Sequence, residues 1–161
     1  MLTSKVDLCT HALYTHLHMA LDDHHKHFTG QIAQKALIER DGKILLVQYP
    51  EGEKYIGGKW DLPGGRLHVG ETALEGVIRE VEEEIGVPVV IEDVLVTGVN
   101  VIREDLQIFF VMYRAHLVDA NATLAPEVGE IGKVEWRDMA EVFTLPFVFP
   151  VYQEMLRPFL K

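Results

Sequence analysis

The sequence predicts an α/β (α+β) fold, a mixed β-sheet flanked by helices, and three patterns carry that expectation. Strand-type runs over residues 32–38 and 44–48 bracket the turn Arg40-Asp41-Gly42-Lys43, which reads as a β-hairpin. Residues 72–85 carry helical periodicity with caps at both ends. Residues 89–102 and 106–117 are long β-branched and aromatic runs joined by Arg103-Glu104-Asp105, the pattern of a long antiparallel pair.

In chain order, the first 28 residues stand apart. Six of the eight histidines (His11, His16, His18, His24, His25 and His27) fall there. Leu13, Leu17, Ala20 and Leu21 recur at helical spacing, so residues 1–28 read as a helical appendage that docks on the domain or on a second subunit. A homodimer is compatible with that reading. The histidines lack a recognised zinc or nickel spacing and are read as solvated.

Residues 29–161 form the expected domain. After the hairpin, a polar stretch with Pro50 and Gly57-Gly58 leads into Trp60-Asp61-Leu62-Pro63-Gly64-Gly65, a tight turn whose backbone something must approach closely. In the helix, Thr72 and Glu75 make a capping box, Leu74, Val77, Ile78, Val81 and Ile85 an apolar stripe, and Gly86 a C-cap. A polar loop over 119–130, a short strand over 131–136, a turn or short helix over 139–143 and a final helix over 149–156 complete the domain.

The chain has 161 residues, 48% of them hydrophobic, enough for a proper core in a single domain. A net charge of −10 and a pI near 5.2 argue against a broad grip on nucleic-acid polymers or anionic membranes. Cys9 is the only cysteine, which excludes an internal disulfide and a thiolate zinc cluster and fits a reducing, cytoplasmic setting. No apolar run approaches the roughly 18 residues of a membrane span.

The chemistry concentrates in the helix. At about 100° per residue, Leu74, Ile78, Val81 and Ile85 define a buried side, and Glu80, Glu83 and Glu84 share one sector at its edge. Gly76 lies in the same sector and leaves room there for a ligand. Clustered like charges repel, increasingly so as the local dielectric falls, so the carboxylates call for a cation. Hard oxygen donors select Mg²⁺, with Mn²⁺ as a substitute, and such an ion neutralises phosphate charge and acidifies an attacking water. Arg79 pairs with Glu75 or orients a neighbouring carboxylate.

Gly65, Glu71, Arg79, Glu80, Glu83, Glu84 and Gly86 stand at the spacing G-x5-E-x7-R-E-U-x-E-E-x-G-U, with apolar Val81 and Val87 at the U positions. Seven fixed residues match by chance with odds on the order of one in 10⁸ per start position. The stretch resembles the box of the Nudix (MutT-like) hydrolases, and the order of elements over residues 31–157 is similar to their α/β/α sandwich.

That resemblance implies a metal-dependent enzyme that cleaves the diphosphate linkage of a nucleoside diphosphate derivative, nucleoside triphosphate or nucleotide sugar. By the same likeness Glu80, Glu83, Glu84 and the Gly64 carbonyl are metal ligands. Arg79 orients, Glu84 is also a candidate base, and Gly65, Glu71 and Gly86 shape the loop-helix-loop. Many members add an acidic residue from outside the box; Glu130 is the first choice here and Glu127 the second. His68 falls at a variable position and reads as a solvated loop residue.

Signatures of the ADP-ribose and dinucleoside polyphosphate subfamilies are missing, since Ile102 and residues 103–105 occupy their places, and no coenzyme A or NADH signature is evident. Phe109, Phe110 and Tyr113 alternate near the expected site and read as core rather than base-stacking residues. The alternatives are a non-catalytic, nucleotide-binding regulatory domain, and an isopentenyl diphosphate isomerase. The second needs an active-site cysteine, and Cys9 sits in the appendage.

Overall fold

The computed structural model describes residues 29–103, 106–126 and 129–160. The appendage expected over residues 1–28 and the candidate Glu127 lie outside the described residues. Among the described residues, six strands and two helices follow in the order β1 (Gln31–Arg40), β2 (Lys43–Gln48), β3 (Trp60–Asp61), α1 (Ala73–Ile85), β4 (Val89–Arg103), β5 (Leu106–Leu117), β6 (Lys133–Asp138) and α2 (Pro150–Leu156).

The sheet is mixed, as the sequence predicts. β1 runs parallel to β5 from Gln31↔Ile108 to Ile38↔Ala115, and β4 pairs antiparallel with β5 through three register shifts. β2 pairs antiparallel with β6 along its whole length, whereas β1 and β2 pair only beside their turn, at Glu39↔Ile44 and Arg40↔Lys43. Beyond that the hairpin splays, and residues 60–65 thread into the opening. β3 pairs with the end of β2, the Gln34 N–H donates to the Gly65 carbonyl (2.8 Å), and the Ala36 N–H donates to the Pro63 carbonyl (2.9 Å). The glycine turn is thus fastened to the middle of the sheet, which a hairpin pattern alone does not reveal.

Side chains alternate along β1 with period two, so each face of the sheet has its own core. Ala33 and Leu37 join Phe110, Met112, Tyr152 and Leu156 on the α2 face; Ala36 and Ile38 join Val77, Val81, Ile85 and Tyr113 on the α1 face. Burial of Val77, Val81 and Ile85 contributes roughly 1.5–3 kcal/mol each. The helices therefore lie on opposite faces, giving the expected α/β/α layers.

Helix α1 starts and stops where expected. Thr72 accepts from the Glu75 N–H, Glu75 accepts from the Thr72 N–H, and Gly86 closes the helix in the left-handed conformation at φ 72°. Its buried face differs from the expected stripe. Gly76, Val77, Val81, Glu84 and Ile85 point inward, while Leu74 is 54% exposed. The helix is rotated so that Glu84 enters the core edge and Leu74 is left outside. The short strand also begins later than expected, at Lys133, because its register is set by pairing with β2 rather than by its own apolar run.

Candidate active site

The rotation of α1 brings its inner carboxylates onto the glycine turn. Glu84 is only 6% exposed, and its Oε2 accepts the Gly64 N–H at 2.6 Å. Burial outweighs the favourable field of Lys35 and pushes this carboxyl up to about 7. Glu80 lies over Gly65 so closely that a Cβ on the glycine would fall 2.1 Å from Glu80 Oε2. Gly64 itself has φ 121°, and a Cβ there would fall 2.3 Å from the Gln34 carbonyl oxygen. Glycine is required at Gly64 by conformation and by the Gln34 backbone, whereas at Gly65 a side chain would displace the Glu80 carboxylate.

The outer flank of α1 is organised by Arg79. Its guanidinium donates to Glu71 from Nε (2.6 Å) and Nη2 (3.1 Å), to Glu83 Oε2 from Nη1 (3.0 Å), and lies 3.0 Å from Glu80 Oε1. Arg79 therefore orients neighbouring carboxylates and does not pair with Glu75, which is occupied at the helix cap. Glu71 also accepts the His68 N–H (2.8 Å). Hydrogen bonds from Arg79 first and His68 second hold its carboxyl down at about 2. Glu71 thus ties the loop to the helix.

A cleft of about 860 Å³ opens over the turn. Lys35, Asp61, Gly64, Gly65, Glu80 and Glu84 line its polar floor, Arg66 and His68 its rim, and Ile32, Ile108, Val148, Phe149 and Tyr152 its apolar end. Glu83 is not brought into this cleft. It is half exposed and faces a second depression with Glu75, Ile78, Arg79 and Glu82. Among the described residues, no three His, Cys, Asp or Glu side chains are drawn together as a preformed metal cage. Glu130 is exposed in the loop before Ile131 and does not line the cleft.

Gly76 serves a different purpose from the one its position suggested. A Cβ there would meet Leu67 Cδ1 at 2.7 Å and Gln34 Oε1 at 2.8 Å, so its bare backbone accommodates the protein's own loop and strand, leaving no ligand space. Phe110 is fully buried, edge-on to Tyr152, and Tyr113 is buried beside Gln34, so both are core residues.

Sequence reasoning missed Lys35 and Asp61. Their side chains are 5% and 2% exposed and form an ion pair of 2.9 Å on the cleft floor, where Lys35 also donates to the Gly64 carbonyl. Burial alone would lower Lys35, but the fields of Asp61, Tyr49 and Glu84 and the hydrogen bond to Asp61 together outweigh it and keep the ammonium protonated. The available signal was a lysine between Ala33 and Leu37, at an inward-facing position of a strand.

The sequence and the fold are matched by known proteins. The profile of the NUDIX domain covers residues 31–159. The chain belongs to the Nudix hydrolase family. It is 28% identical over 123 residues to an uncharacterized Nudix hydrolase, YvcI, of Bacillus subtilis (strain 168), covering 72% of this chain and 71% of that protein. It is 34% identical over 116 residues to the NAD-capped RNA hydrolase NudC of Vibrio atlanticus, covering 71% of this chain but only 38% of that longer protein. The crystal structure of the MutT protein from Methanosarcina mazei Go1 superposes with a TM-score of 0.69 at 26% identity, covering 84% of this chain and 96% of that one. No helix among the described residues is long and apolar enough to cross a membrane.

Proposed function

We propose that this Nudix hydrolase cleaves the phosphoric anhydride linkage of a nucleotide derivative by attack of water on phosphorus, with a divalent cation, Mg²⁺ or Mn²⁺, at the glycine turn. The observation that carries the reading is the convergence of Glu80 and Glu84 on Gly64-Gly65, against a floor where a Cβ would collide with carboxylate oxygen. The donor set fits such an ion. Glu80, Glu84 and the Gly64 carbonyl offer hard oxygens, two of them anionic, and the buried Glu84 lacks an adjacent cation other than the already paired Lys35. When bound, the ion would neutralise phosphate charge and acidify water.

The chain's own residues supply the remaining functions. The Gly64 N–H fixes Glu84 Oε2, so the other oxygen of that carboxylate is free to act as ligand or to take a proton from water. Arg79 keeps Glu80 and the loop in register through Glu71. Arg66 and Lys35 add positive charge to the cleft for a polyanionic substrate, and its apolar end with Phe149 accommodates a base or another uncharged moiety. The relative named as an NAD-capped RNA hydrolase supports anhydride chemistry within a nucleotide. The single cysteine fits a cytoplasmic setting.

The test is a Mg²⁺- and Mn²⁺-supplemented screen of nucleoside triphosphates, nucleotide sugars, ADP-ribose and dinucleoside polyphosphates, with the products identified. Metal-dependent release of a nucleoside monophosphate from at least one class is expected. Tight binding of such a nucleotide without turnover of any class would instead favour a regulatory, non-catalytic domain.

A further inference from the structure

Beyond adding positive charge to the cleft, Lys35 is bound to the glycine turn by fixed partners. Its side chain is buried within β1, its Nζ pairs with Asp61 Oδ2 at 2.9 Å, and it donates to the Gly64 carbonyl. That carbonyl is the oxygen assigned above to the divalent cation. On the other side of the same residue, the Gly64 N–H holds Glu84. A cation ligated by the Gly64 oxygen and Glu84 must therefore approach an ammonium already hydrogen-bonded to one of its ligands. Like charges at contact distance repel strongly where burial lowers the effective dielectric.

We propose that Lys35 is an internal cation that holds the Gly64 carbonyl in the metal-free protein and competes with the divalent metal for it, so that loading requires the ammonium to withdraw onto Asp61. Asp61 is placed for this exchange. It already bonds Lys35 and is itself anchored by the Leu62 N–H at 2.9 Å, so the ammonium keeps a counter-charge when it leaves the carbonyl. Lys35 Nζ already touches both partners, so the exchange needs only a short movement away from the carbonyl. Lys35 is thus a positioning residue that sets the affinity of the turn for a divalent metal. The inference rests on the metal reading of Glu80, Glu84 and Gly64.

The test measures Mn²⁺ binding to the full chain without substrate, from the loss of the free-ion electron paramagnetic resonance signal. Wild type is compared with Lys35→Met, Lys35→Met/Asp61→Asn and Glu84→Gln. The double variant removes the pair without leaving a buried unpaired carboxylate, so it serves where the single variant fails to fold. At least tenfold tighter Mn²⁺ binding is expected in the double variant, whereas a purely structural ion pair would leave the affinity unchanged or weaken it.

A measurement on wild type needs no variant. The Lys35 ammonium resonance, followed by ¹⁵N NMR, is expected to shift on saturation with diamagnetic Mg²⁺. Glu84-dependent Mn²⁺ binding that is insensitive to Lys35, or an ammonium resonance that ignores Mg²⁺, overturns this inference and leaves the hydrolase reading standing. Mn²⁺ binding that is also insensitive to Glu84→Gln overturns both.

Discussion

The two flanks of α1 place chemically identical carboxylates in opposite electrostatic situations. On the inner flank Glu84 is buried, receives one N–H from the glycine turn, and has its carboxyl pushed up to about 7. Beside the outer flank, Glu71 of the preceding loop receives an arginine fork and a backbone N–H, and its carboxyl is held down at about 2. The inner carboxylate lacks a full counter-charge, and the outer one already has it. A site that must recruit a cation belongs on the side where charge is unsatisfied, which separates Glu84 from the scaffold carboxylates of the same box.

The largest effect expected from breaking this contrast is catalytic. Glu84→Gln keeps the shape and an oxygen acceptor for the Gly64 N–H but removes the charge, and should lower kcat by at least about 10²-fold with the fold retained, as read by steady-state kinetics and circular dichroism. Next comes Gly65→Ala, whose methyl group would displace the Glu80 carboxylate from the turn. A loss of roughly 10-fold or more in kcat/KM is expected, about 1.4 kcal/mol or more of transition-state stabilisation, and unchanged kinetics would show that Glu80 does not need its present position.

The pH dependence follows from the same comparison. Because the folded-state carboxyl of Glu84 lies above its unfolded value, the folded state binds more protons, and the metal-free protein loses stability as pH rises from about 4.5 to about 7. The loss from this group is on the order of 3 kcal/mol, and Glu84→Gln should flatten that limb in chelator-treated denaturation curves. Glu71 has the opposite sign: its contribution is present above its unfolded value and is lost as pH falls through about 2. The smallest effect is expected at Glu130, exposed and away from the cleft. Glu130→Gln should change kcat/KM by less than about twofold, and a larger loss would return this loop to the site.

Much of this architecture was legible because its signals are local. The Thr72–Glu75 cap, the left-handed Gly86 and the β1–β2 turn depend on neighbours within a few residues, and each forms where the sequence predicts it. The rotational setting of α1 was not legible, because Leu74 and Glu84 compete for the inward face and the glycine turn, 20 residues before Glu84, decides the outcome. Glu80, Glu83 and Glu84 stood out by helical spacing and by the family box, and the fold brings Glu80 and Glu84, but not Glu83, to the glycine turn. Lys35 and Asp61 were missed because the pair assembles only when residues 60–65 enter the splayed hairpin, a long-range event that no periodicity records. Gly76 was misjudged for the same reason, since the space above it is taken by Leu67 and Gln34.

Metal removal tests the inner-flank site most directly. Turnover of a nucleotide anhydride is measured on protein stripped with a chelator, then again after adding back Mg²⁺ or Mn²⁺. Activity is expected to vanish on stripping and to return on add-back in wild type, with little return in Glu84→Gln. Equal turnover by stripped and reloaded protein would contradict the assignment of Glu80, Glu84 and Gly64 to a catalytic cation.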